Sequence, residues 1–207
     1  MTWTACGRTA GRSIGKRKAE MERFTAYHAV TERPMHQGQV LTIGEGWQSG
    51  VCRRVLEKLP VVEEIYQNPA AWAGKELEHH TMVALRELAL EQVRKESFPQ
   101  CPSRLHCLYV TETLEEARWW GEFFAGLGRP AYHIVKLQVT GRRFEGNANL
   151  CFDATPCRQE NLALARRYWQ VETPVGEPPV RELLVDGEIL VEKIVEEIGK
   201  NLEVDCR

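Results

Sequence analysis

No stretch of this chain approaches the roughly 18 consecutive apolar residues that a membrane-spanning helix requires, and its start lacks the apolar core of roughly 7–15 residues found in a secretory signal. A protein that stays in the cytoplasm, with no membrane partner, is therefore expected. Charge of one sign is missing too: 27 Lys and Arg against 29 Asp and Glu leave a formal net charge of −2, so no global field draws the chain to a polyanion. Any such partner must be met locally. The cysteines lack the dense, even pattern of a disulfide scaffold, being seven in number and scattered from Cys6 to Cys206, which reads as reduced thiols. Neither a Walker phosphate loop nor a GxGxxG after a strand is present, which removes P-loop hydrolysis and Rossmann dehydrogenation. No metal is expected either. Cys101 and Cys107, like Cys151 and Cys157, are separated by five residues, unlike the two-to-four-residue knuckles of structural zinc, and no second pair completes a tetrahedron.

What is present begins with a polar leader. Residues 1–20 are rich in Gly, Arg, Lys, Ser and Thr and read as a flexible tail, with Met21 a natural alternative start to Met1 and a targeting peptide the minor alternative. The remainder, residues 21–207, fits one domain.

Phe24 to Val30 is β-prone, and Val40 to Ile43 is a second short strand followed by a Gly-punctuated loop carrying Trp47 and Gln48, which is able to approach a ligand closely. Two helices follow, Val51 to about Gln67, which Pro60 should bend or split, and Lys75 to Ser97. Leu105 to Val110 is then a strand, and Thr113 with Glu115 and Glu116 starts a helix that presents Ala117, Trp120 and Phe124 on one face before Gly126 ends it. Ala131 to Val139 is a buried strand that turns at Gly141 to Gly146, and Glu160 to Trp169 is a short helix. A loop spans Val171 to Pro179. After it, Arg181 to Val185 and Glu188 to Ile194 form two strands around Asp186-Gly187, a hairpin signal. This order predicts an α+β fold with a mainly antiparallel core and a helical insertion over about residues 51–100.

Three of these segments each present one polar or aromatic residue among apolar neighbours: His28 in Tyr27-His28-Ala29-Val30-Thr31, Tyr109 in Leu108-Tyr109-Val110-Thr111, and Glu182 in Arg181-Glu182-Leu183-Leu184-Val185. In that order they resemble the motifs of the ADP-ribosyltransferase superfamily of the His-Tyr-Glu type, from about Phe24 to Val195, with Gly44 to Arg104 largely outside the match. Thr31-Glu32-Arg33-Pro34 through Gly38, and Ala165 to Trp169, resemble a poorly characterised bacterial branch of it.

The resemblance implies a split antiparallel sheet and an enzyme that cleaves the nicotinamide–ribose bond of NAD and passes ADP-ribose to an acceptor. His28 and Thr31 would hold the dinucleotide, Tyr109 and Trp120 would sandwich the nicotinamide, and Glu182 would stabilise the cationic ribose. It also implies a toxin or phage-defence setting, with an antitoxin or inhibitor as partner. Arginine-directed transferases carry an acid two positions before their glutamate. Val180 stands there, so the acceptor is another side chain, a nucleic-acid base, a small molecule or water.

Each residue also has a plainer reading. Glu182 is then a strand-end acid paired with Arg181 or solvent, His28 is satisfied by backbone groups, and Trp120 is core. The pairs Arg142-Arg143 and Arg166-Arg167 hold a phosphate or are simply solvated. Two rival functions stand beside transfer. One is a catalytically inert NAD-binding or protein-interaction module; the other is NAD-dependent removal of phosphate from RNA ends, which asks for a more basic groove than the net charge suggests.

Overall fold

The computed structural model describes residues 21–172, 176 and 178–198, so the expected tail, Cys6, Cys206 and part of the loop after Val171 lie outside the described residues. Strand β1 (Glu22–Val30) pairs antiparallel with β4 (His133–Asn147), and β4 pairs along its whole length with β5 (Arg181–Glu197). The other edge of β5 is divided. Strand β3 (Leu108–Val110) takes Leu183 to Val185, and β2 (Val40–Ile43) takes Gly187 to Leu190. Just beyond β3 the chain returns to β1 through a bridge in which Tyr27 and Thr111 exchange amide–carbonyl bonds of 2.9 and 2.8 Å. The sheet therefore curls back on itself, with Ala26, Val30, Val110, Val135, Leu137 and Val185 packed inside the curl.

Helices α1 (Gly50–Gln67), α2 (His79–Ser97), α3 (Leu114–Gly126) and α4 (Arg158–Trp169) complete the described α+β architecture. Because strand side chains alternate, Leu184, Phe144 and Tyr109 face away from the curl and meet Leu90, Val93, Tyr168 and Trp169 of α2 and α4. The segment between β2 and β3 is helical as expected, but it is no appendage: α1 and α2 bury Val55, Ile65, Leu85 and Ala84 against Leu105 and Ala154. Helix α3 starts on the expected cap, a capping box in which Thr113 accepts from the Glu116 amide and Glu116 accepts from that of Thr113, each at 3.2 Å.

Several expectations are corrected. Asp186-Gly187 is no hairpin: β5 runs straight through it, with Gly187 at φ +110° opposite Gly141 of β4. A Cβ at Gly141 would lie 1.7 Å from the Asp186 carbonyl oxygen, and one at Gly187 would lie 2.4 Å from that of Thr140. The two glycines let the paired strands approach closely where β5 exchanges β3 for β2 as a neighbour. For the same reason the expected turn at Gly141 to Gly146 is absent and β4 continues to Asn147. Pro60 does not split α1; it removes the bond to the carbonyl of Leu56, a residue 46% exposed, where water is an available substitute. Helix α2 begins at His79 rather than Lys75, because the Glu78 carboxylate caps it by accepting from the amides of His80 and Thr81 at 3.0 and 3.1 Å. Residues 105–107 precede β3 rather than opening it.

Candidate functional site

A cleft of about 390 Å³ opens between the end of β1, β3, the first turns of α1 and the inner face of α3. His28, Thr31, Tyr109, Trp120 and Glu182 all line it, although they come from four separate segments. The β1–β3 bridge accounts for part of this convergence. It sets Tyr27 against Thr111, so the next residue, His28, lies beside Tyr109, whose carbonyl oxygen is 2.7 Å from His28 Nδ1. A carbonyl only accepts, so Nδ1 carries the proton and Nε2 presents a lone pair. Burial, opposed by that bond, lowers the imidazole to about 4, so His28 is neutral near pH 7. A neutral histidine of this tautomer accepts a hydroxyl hydrogen.

Glu182, the second residue of β5, is buried at the cleft, and Arg181 beside it pairs instead with Glu112, Glu116 and Glu145. Arg104 donates to Glu182 Oε1 from Nη1 at 2.6 Å, and the Cys151 thiol donates to the same oxygen at 3.8 Å. No described residue donates to Oε2. Burial pushes the Cys151 thiol up to about 12, so it stays protonated and remains a donor. Arg104 is itself 5% exposed and held on every side: its Nε donates to Glu87 at 2.8 Å, its Nη1 also donates to the Tyr168 hydroxyl at 2.7 Å, and its guanidinium lies 5.5 Å from the Tyr109 ring. Burial works most strongly against its charge, yet the Glu182 and Glu87 carboxylates beside it outweigh burial and keep Arg104 protonated. Glu87 stays ionised on the same terms, with Arg104 overcoming burial. The result is a buried Glu87–Arg104–Glu182 chain that fixes one oxygen of Glu182.

Tyr109 is half-buried with its hydroxyl donating to the Arg104 carbonyl at 3.4 Å, and burial raises that hydroxyl well above the ordinary tyrosine range. Trp120 and Phe124 stack at 5.5 Å on the cleft side of α3. The Trp47 loop reaches the cleft as expected, held by a 2.6 Å bond from His106 Nδ1 to the Trp47 carbonyl. Its indole Nε1 is a buried donor with no acceptor among the described residues. An orphaned donor is costly in a native protein, and a ligand acceptor in the cleft would satisfy it.

Sequence reasoning missed the arginines. Arg33, Arg53, Arg54, Arg86, Arg104 and Arg129 line the cleft, and the carboxylates paired with them are Glu32, Glu87 and Glu182. The surplus is three positive charges, concentrated where Arg33 and Arg129 have no carboxylate partner among the described residues. The groove is thus basic despite the net charge of −2. The pairs expected to hold phosphate lie elsewhere: Arg142 binds Asp186, Arg143 binds Glu22 and Glu112, and Arg167 binds Glu172, none of them on the cleft. One signal was available. Glu87 and Glu91 fall three and seven residues after Ala84, on the apolar stripe of α2, and a carboxylate there demands a buried cation. Among the described residues no group of three His, Cys, Asp or Glu converges as a metal site, all five described cysteines are free, and no helix is long and apolar enough to cross a membrane.

The fold and the cleft define a mixed helix and antiparallel-sheet protein with a buried carboxylate at the floor of a cationic groove. Residues 26–197 match the family described as "Protein of unknown function (DUF2441)", and the chain belongs to that family. No curated protein matches the chain.

Proposed function

We propose that this protein is an NAD-dependent ADP-ribosyltransferase, with an ADP-ribosyltransferase-like split sheet and NAD as its substrate. The observation that carries the reading is the meeting of His28, Tyr109 and Glu182 in one cleft from strands far apart in sequence. The arginine surplus suits the pyrophosphate, and the orphaned Trp47 indole suits an acceptor on the bound dinucleotide.

In this reading His28 Nε2 accepts a ribose hydroxyl hydrogen, and Tyr109 and Trp120 flank the nicotinamide. Arg104 orients Glu182 so that Oε2 accepts from the 2′-hydroxyl and faces the positive charge developing on the ribose. The bond between ribose C1 and the nicotinamide nitrogen breaks with its electron pair leaving on nicotinamide. The acceptor's lone pair forms the new bond to C1, and its proton goes to solvent. Glu182→Gln keeps a carbonyl oxygen for Arg104 but removes the charge. It should lower nicotinamide release from labelled NAD by about 100- to 1,000-fold with unchanged circular dichroism. Release that survives the substitution intact removes Glu182 from the mechanism and the transferase reading with it.

The basic groove also favours the second reading, removal of phosphate from RNA ends with NAD. Loss of phosphate from a terminally phosphorylated oligonucleotide only when NAD is present, with nicotinamide released and the phosphate carried away on ADP-ribose, separates it from simple transfer.

A further inference from the structure

Helix α3 carries more aromatic surface than the cleft uses. Trp120 and Phe124 face the cleft, but Trp119 and Phe123 stand outside it, 50% and 44% exposed, with their rings nearly parallel at 8° and 5.5 Å apart. Ring contacts of 4.8 Å (Trp119–Trp120) and 5.8 Å (Phe123–Phe124) join the outer pair to the inner one, so one aromatic surface runs from the cleft over its lip. Monomeric proteins rarely display such a group without a use.

The charge beside it says what covers it. Arg129, just past the end of α3, lies over the Phe124 ring at 5.3 Å and has no carboxylate partner among the described residues. Arg54 shares Glu32 with Arg53, so that corner stays positive. Partial burial, then the Arg54 charge, push the Arg129 pKa down, and the Glu32 carboxylate, which Arg53 and Arg54 already share, only partly opposes them. Glu115 and Glu122 flank Trp119 at helical spacing and would repel a phosphate, which confines a polyanion's backbone to the arginine side. Flat aromatic platforms bordered on one side by guanidinium groups fit stacked bases with their phosphates alongside.

We propose that the lip of the cleft is a binding surface for single-stranded nucleic acid, with bases stacked on Trp119 and Phe123 and phosphates held by Arg54 and Arg129. On the transferase reading, on which this last step rests, the strand is the acceptor, and a base or ribose heteroatom supplies the lone pair for the new bond.

Anisotropy titration of a fluorescein-labelled single strand of about 12 nucleotides tests the surface without any catalysis. The full chain should bind it. Trp119→Ala with Phe123→Ala, both exposed, should weaken binding at least about 10-fold with unchanged circular dichroism. Arg129→Glu should reduce the slope of log affinity against log salt by about 0.7. No binding by folded wild type, or equal affinity in the double variant, overturns the proposal. A wild-type dimer that the double substitution dissolves overturns it in favour of a second copy of this chain. Nicotinamide release is scored separately. A protein that binds the strand yet releases no nicotinamide from NAD keeps the surface and loses the transferase reading, whereas release without strand binding does the reverse.

Discussion

Arg104 is the residue on which the site turns. It is one guanidinium serving two buried carboxylates, so its removal leaves Glu182 without a cation and Glu87 with Arg86 alone, at 3.3 Å. Arg104→Met should cost about 3–5 kcal/mol in urea denaturation, and adding Glu87→Met should recover part of that loss because one stranded charge disappears. An unchanged midpoint in the single variant would mean that the carboxylates find solvent or other partners. His28 makes a different prediction. Its folded value of about 4 lies below the ordinary 6.5, so between those values the unfolded chain binds the extra proton. Stability from this group is complete above about pH 6.5, falls as the pH drops towards 4, and changes no further below that. Since the side chain is half-buried, the loss is at most about 3 kcal/mol. His28→Asn, which keeps a donor for the Tyr109 carbonyl, should flatten that part of the stability–pH curve, and an unaltered curve would place the titration elsewhere.

At the scale of elements, the close approach of β4 and β5 at Gly141 and Gly187 is the feature most sensitive to change. Gly141→Ala would drive a methyl into the Asp186 carbonyl, and neither strand is free to yield because β4 is also paired to β1 and β5 to β2 and β3. A loss of about 3 kcal/mol or more is expected by chemical denaturation. Gly128, at positive φ unlike Gly141 but with open space around it, should lose less on the same substitution. Much of the element order was legible from sequence: β1, β2, α3 and α4 lie within a few residues of expectation, because caps, periodicity and glycine ends are local signals. The Asp186-Gly187 turn was misread for a physical reason. Positive φ at glycine serves a tight turn and a close approach of two paired strands equally well, and the partner that decides, Gly141, is 46 residues away.

For the whole molecule, charge is organised rather than abundant. A chain with a net charge of −2 concentrates six arginines around one cleft, while ion pairs such as Arg118–Glu196 at 2.8 Å lie on the outside. If NAD fills that cleft, the native state alone should bind it. At a concentration about 100 times the Kd it should add about 2.7 kcal/mol of stability, visible as a raised thermal midpoint. Trp47→Phe, which removes the orphaned donor but keeps an aromatic ring, should reduce that shift; an NAD-independent midpoint in the wild type would count against the dinucleotide.

By itself the sequence determined the α+β class, the helical segment between β2 and β3, and the segments bearing His28, Tyr109 and Glu182, since each of these is written in short-range patterns of polarity and turn chemistry. Only the tertiary structure decided that Glu182 answers to Arg104, that Arg104 answers to Glu87, and that the arginines gather on one side. Those choices follow from strand register and helix packing, which join residues as far apart as 78 positions, and a buried charge takes whichever partner the fold brings within reach.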